Sequence, residues 1–166
     1  MDQAQQLRNI IKASAPTQSR PLARVITVTS GKGGVGKSNT AINLAIQFRK
    51  MGKRVLIFDA DFGLANVEVM LGIRPTYNLL DLIHNNKTMP EIITKGPMGI
   101  GFVSGGSGVS ELASLDKNSI KLLISEMIKL DKMYDIVIID TGAGVSDNVL
   151  RFVEAADEAY VVTTPE

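Results

Sequence analysis

The segment that most constrains this chain is Gly31-Lys32-Gly33-Gly34-Val35-Gly36-Lys37-Ser38. It fits the pattern G-x-x-x-x-G-K-[ST]. In that pattern backbone N–H groups cradle phosphates, the second lysine reaches the β- and γ-phosphates, and the hydroxyl can ligate Mg2+. The pattern has this meaning only between a buried strand and a helix, and both flanks qualify. Arg24 to Thr29 is short and β-branched, while Ala41, Leu44, Ala45 and Phe48 recur at i, i+3, i+4, i+7 on one helical face. Gly52 stands where a helix C-terminal glycine belongs. The helix N-terminus adds its dipole to the anion site. A glycine-rich turn with stray lysines would not require these flanks. Lys32 is the unusual residue. A second cation at the rim is not needed to hold the same nucleotide, so it is available to a γ-phosphate presented from elsewhere, such as a facing subunit.

The chain has 166 residues, 45% hydrophobic and 21% charged, enough for one globular domain with a real core. Its formal net charge of +1 provides no global field for nucleic acid or anionic membrane. Cysteine is absent, which excludes a disulfide framework and any cysteine-ligated zinc or iron–sulfur site within these residues, and is compatible with a cytoplasmic protein. No apolar run approaches the roughly 18 residues of a membrane span, and the polar N-terminus is no secretory signal.

Residues 1–12 read as a short helix with Ala4, Leu7 and Ile11 on one side, and 13–22 as a linker rich in Ser, Pro and Thr. From residue 23 to 166, strands alternate with helices. Strands are expected at Arg24–Thr29, Arg54–Asp59, Ile100–Ser104, Asp135–Asp140 and Glu158–Thr163. Helices are expected at Ser38–Met51, Asn66–Leu71, Leu79–His84, Pro90–Thr94, Lys117–Leu130 (capped by Asp116) and Asp147–Ala155. Near-continuous apolar strands alternating with helices define an α/β fold, a doubly wound, mostly parallel sheet flanked by helices. The sequence stops just after a strand, so the expectation is the N-terminal part of a longer domain.

Ligands of such sheets bind beyond the carboxyl ends of the strands. That rim carries Ser30–Ser38, Asp59-Ala60-Asp61, Ser104–Ser110 and Asp140-Thr-Gly-Ala-Gly144. Asp140 follows four apolar residues, the position of an aspartate that holds Mg2+ beside Ser38; the alternative is a strand-end aspartate capping a turn. Asp59 and Asp61 face the same way in an extended segment. Asp59 would support the metal shell and Asp61 would orient the attacking water, or one of them would be a structural cap. Thr141 to Gly144 can approach the γ-phosphate. The glycines at 105, 106 and 108 form a mobile rim loop, and the lone His84 reads as a polar loop residue.

With both lysines placed, the loop resembles the deviant Walker A motif of the MinD/ParA family of P-loop ATPases, and the resemblance spans Arg24 to Glu166. Asp59 to Asn66 resembles that family's switch segment, and Asp140 to Gly144 its Walker-B and switch region. The resemblance implies ATP with Mg2+, bound by Gly31, Lys32, Gly33, Gly34, Val35, Gly36, Lys37, Ser38 and Asn39, with Ser38, Asp59 and Asp140 around the metal. It implies Lys32, Lys37 and Asp61 as catalytic residues, Lys32 reaching across an ATP-bound homodimer, and Asn66 near the dimer contact. Within the family, Ser38-Asn39, Leu64–Gly72 and Asp2-Gln3-Ala4-Gln5-Gln6-Leu7-Arg8 resemble the FlhG branch of flagellar-number regulators. This last segment implies that Asp2, Gln3, Ala4, Leu7 and Arg8 dock on and activate an FlhF-like GTPase of signal-recognition-particle type. The family also implies a cytoplasmic protein with peripheral membrane contact through a C-terminal helix lying beyond Glu166. No direct nucleic-acid contact is expected. Cell-division MinD and ParA-type partitioning proteins are the competing members.

Overall fold

A computed structural model describes residues 22–61, 66–84, 86–106, 126 and 129–165. Strands β1 (Arg24–Thr29), β2 (Val55–Ala60), β3 (Thr94–Lys95), β4 (Gly101–Val103), β5 (Ile136–Thr141) and β6 (Glu158–Val161) form one sheet in the order β3-β4-β2-β5-β1-β6. Every pairing is parallel except β3 with β4. The helices are α1 (Lys37–Lys50), α2 (Asn66–Leu71), α3 (Leu79–His84), α4 (Met89–Ile92) and α5 (Asp147–Ala155). The α/β expectation holds, with an antiparallel edge added.

The sheet is covered on both faces, which is why its central strands read as unbroken apolar runs. On one face Ile26, Val28, Ile57, Phe102 and Ile138 pack against Ala41, Ile42 and Ala45 of α1 and Val67 and Leu71 of α2. On the other, Leu56, Phe58, Val103, Val137 and Ile139 meet Leu79, Leu82, Met89, Ile92 and Leu130. Phe152 of α5 joins this second face, 6.0 Å from Phe58 between ring centroids. The alternation of partners along β2 follows from the two-residue period of a strand.

One boundary differs in kind from the expectation. Helix α4 ends at Ile92, and Thr94 opens an edge strand instead of closing a helix. The Glu91 carboxylate accepts hydrogen bonds from the Thr88 N–H (2.8 Å) and hydroxyl (2.9 Å), so it closes the helix start within a single turn. The chain then reverses through Met98 and Gly99, both with positive φ, and Thr94 pairs with Phe102. A two-residue strand is too short to show alternation, so no periodicity announced it. His84 is the last residue of α3, exposed, and not in a loop. At the other end of α1, Gly52 has φ +79° and its N–H donates to the Arg49 carbonyl at 2.9 Å, the expected glycine stop.

The amino end of β1 is held by two aspartates. The Ala23 N–H donates to Asp131 at 3.0 Å and the Val25 N–H to Asp157 at 2.9 Å. The helix expected at 1–12, nearly all of the 13–22 linker, and most of the helix expected at Lys117–Leu130 lie outside the described residues.

Candidate functional site

β1 delivers the chain into the glycine loop, and the loop into α1. Gly34 (φ +75°) and Gly36 (φ +95°) take left-handed conformations that side chains resist. Gly36 caps α1 with no side-chain cap, and no acidic residue stands in the first turn. The first N–H groups of a 14-residue helix therefore face the loop without an internal anion, as a phosphate site requires. Lys37 is buried at 8% exposure, whereas Lys32 is exposed. The Ser30 hydroxyl donates to the Lys32 carbonyl at 2.7 Å. Val35 and Ser38 are half-buried, and Gly31, Gly33 and Asn39 are exposed.

The loop after β5 folds against this one. The Gly144 N–H donates to the Ser30 carbonyl at 2.9 Å, and a Cβ placed on Gly33 would lie 4.0 Å from the Ala143 Cβ. The strand register brings the carboxylates in from the other side. Asp59 of β2 pairs directly with Asp140 of β5, and Asp140 with Val28 of β1. The Asp61 N–H donates to Asp59 Oδ1 at 3.0 Å, and Asp61 Oδ1 lies 3.6 Å from where a Gly142 Cβ would stand. Lys37, Ser38, Asp59, Asp61 and Asp140 thus share one rim.

The electrostatics of this rim are set by buried carboxylates beside Lys37 and Ser38. Asp140 is 1% exposed, and no hydrogen bond of good geometry reaches either carboxylate oxygen; the Ser38 hydroxyl stands near enough to favour the charged form but does not complete a bond. Buried polar atoms are nearly always partnered, so an orphaned carboxylate marks a place where something else binds. Burial pushes Asp140 up to about 6, opposed by the nearby Ser38 hydroxyl and Lys37 ammonium and reinforced by Asp61. Burial likewise pushes Asp59 up to about 8, opposed by the Asp61 N–H and reinforced by Asp140, Asp61 and Glu68. Among the described residues, no group of three or more His, Cys, Asp or Glu side chains forms a complete metal cage. Mg2+ does not need one, since it is commonly held by one or two carboxylates together with substrate phosphates and water. The donor set of Asp140, Asp59 and the Ser38 hydroxyl fits that ion.

Asn66, the first residue of α2, is exposed. Asp2, Gln3, Ala4, Leu7 and Arg8 lie outside the described residues, as do 107–110 of the rim loop. Sequence reasoning missed Glu68, whose carboxylate accepts a hydrogen bond from the Ser104 hydroxyl at 3.1 Å across 36 residues. A long-range contact of this kind leaves no mark in local spacing. No helix among the described residues is long and apolar enough to cross a membrane.

The family model described as "ParA: NUBPL iron-transfer P-loop NTPase" matches residues 21–166. The antiactivator FleN of Pseudomonas aeruginosa is 39% identical over 86% of this chain and 51% of its own length. The flagellum site-determining protein YlxH of Helicobacter pylori is 34% identical over 99% of this chain and 57% of its own. The septum site-determining protein MinD of Bacillus subtilis is 35% identical over 87% and 54%. Among solved structures, the septum site-determining MinD of Pyrococcus horikoshii, complexed with Mg-ADP, superposes with a TM-score of 0.69 at 26% identity, over 87% of this chain and 59% of that one. The chain spans about half the length of the curated relatives it matches. On its sequence match, its sheet and its two facing glycine loops, the chain belongs to the ParA/MinD family of P-loop NTPases.

Proposed function

We propose that the protein is a Mg2+-dependent ATPase switch of the FlhG kind. The observation that carries the nucleotide half is the orphaned, buried Asp140, paired with Asp59 and set beside Lys37 and Ser38. Lys37 and the N–H groups of 31–39 hold the β- and γ-phosphates. When bound, Mg2+ neutralises charge on the phosphate oxygens and those two carboxylates together. Asp61, tied through its own N–H to Asp59, orients the attacking water toward the γ-phosphate. Exposed Lys32 serves the nucleotide of a second copy, so that ATP closes a homodimer and hydrolysis opens it. Asn66, exposed at the start of α2, belongs to the same contact face.

The flagellar half rests on likeness. FleN is more identical to this chain than MinD is, and the YlxH match spans 99% of the chain, so it includes most of residues 1–22. Those residues carry Asp2-Gln-Ala-Gln-Gln-Leu-Arg8, which we assign to docking on and activating an FlhF-like GTPase. In this scheme residues 1–12 dock, 13–22 tether, and the domain from residue 23 hydrolyses ATP. A MinD-like role in division-site placement is the second reading, favoured by the 35% identity to MinD. A peptide of residues 1–20 added to an FlhF-like GTPase separates the two. Saturable stimulation supports the flagellar role, and no stimulation at saturating peptide refutes it.

A further inference from the structure

Glu68 has no part in the scheme above. It sits in the first turn of α2, and its Oε2 accepts the hydroxyl hydrogen of Ser104 at 3.1 Å. Ser104 is 5% exposed and is a joint between four elements. It follows β4, its Oγ also accepts the Gly106 N–H of the rim loop at 3.1 Å, and its carbonyl accepts the Leu79 N–H of α3 at 3.0 Å. The fourth element is α2 itself, through Glu68.

The sheet register says where this joint stands. Phe58 pairs with Val103, so one residue further on Ser104 comes alongside Asp59, and Asp59 is already paired with Asp140. Paired positions on neighbouring strands share a face, and here it is the face of Ile57, Phe102 and Ile138, covered by α1 and α2. A polar row thus crosses the rim as Asp140, Asp59, Ser104, with Glu68 of α2 over its outer end.

We propose that Glu68 is a positioning residue for the cation site: clamped by Ser104, its carboxylate adds an outer negative charge that tightens Mg2+ at Asp59 and Asp140 without touching the ion. This rests on the Mg-nucleotide reading of the same rim. A carboxylate held at the outer end of this row attracts a dication bound at Asp59 and Asp140 through space. Groups outside the ligand shell commonly change metal affinity 10- to 100-fold. A purely structural Glu68 would only hold α2 to the sheet.

Glu68→Gln separates the two roles, because the amide oxygen still accepts from Ser104 while the charge is gone. The measurement is binding of a fluorescent ADP analogue to the full chain, in EDTA and then across a Mg2+ titration. The expected result is affinity in EDTA within twofold of wild type and a Mg2+ half-saturation raised about tenfold. Ser104→Ala keeps the charge and loses the clamp, and should raise the half-saturation by a smaller factor. It decides the matter if Glu68→Gln does not fold. An unchanged Mg2+ half-saturation overturns the proposal while leaving the nucleotide reading intact. A wild-type protein that binds no nucleotide overturns both.

Discussion

Asp140→Asn should stabilise the metal-free protein at neutral pH while removing its response to Mg2+. Burial raises the Asp140 carboxyl from its ordinary 3.8 to about 6. The folded state therefore keeps a proton that the unfolded chain has lost. Stability from this group is fully present below the unfolded value and disappears as pH rises through about 6. Two pH units at 1.36 kcal/mol each put the cost of the buried charge near 3 kcal/mol at pH 7.5. Asparagine has the same shape and carries no charge, so in EDTA at pH 7.5 it should recover most of that. For a protein of 150–250 residues the gain corresponds to a Tm higher by roughly 6–12 °C. At pH 4 the two proteins should melt within about 2 °C of each other, because both side chains are then neutral. When Mg2+ is added to the ADP-bound proteins at pH 7.5, the wild type should gain further stability and the variant should not. Thermal melts by circular dichroism, with and without EDTA, test all three limbs. An Asp140→Asn protein that melts below wild type in EDTA at pH 7.5 would refute the claim that the Asp140 charge is buried at a net cost that Lys37 and Ser38 only partly offset.

The other predictions concern the lysines, the water and the core. Lys37→Ala should lose nucleotide affinity by two orders of magnitude or more, since charged groups that meet phosphate are worth about 3 kcal/mol when desolvated. Lys32→Ala should keep nucleotide affinity and lose ATP-dependent association. If calorimetry and sedimentation show the same defect in both variants, the division of labour between the lysines is wrong. Asp61→Ala should bind Mg-ATP normally and turn it over about 100-fold or more slowly, as removal of a water-orienting carboxylate does. Unchanged turnover removes Asp61 from the chemistry. Gly101→Ala should destabilise by about 1–3 kcal/mol, because the added Cβ would stand 2.7 Å from Tyr134 Cζ and 2.9 Å from Leu56 Cδ1. A denaturation midpoint equal to wild type would show that the packing there yields.

The segments that make up the candidate site could be picked out before the fold was seen, because each is local. The loop pattern, the apolar face of α1 and the four apolar residues before Asp140 each lie within a dozen residues, where spacing maps directly onto geometry. Even the pairing of Asp59 with Asp140 follows once parallel strands are assumed, since both end their strands at the same rim. What could not be read is non-local. Strand β3 exists because β4 offers it an edge, and its two residues carry no periodicity of their own. The Ser104–Glu68 clamp spans 36 residues, and nothing at either position marks the other. The aspartates that hold the entry to β1 come from 108 and 132 residues away. The burial that lifts Asp59 to about 8 belongs to the assembled sheet and not to any segment of it.

The most direct test of a nucleotide-driven switch is the mass of the full-length protein in solution, measured by sedimentation equilibrium with Mg-ATP and with Mg-ADP. Using Asp61→Ala holds ATP intact through the run. The prediction is a dimer with ATP, a monomer with ADP, and a monomer with either nucleotide when Lys32→Ala is added. Equal mass with ATP and ADP would contradict the switch and leave the protein a nucleotide-binding member of its family with some other means of action.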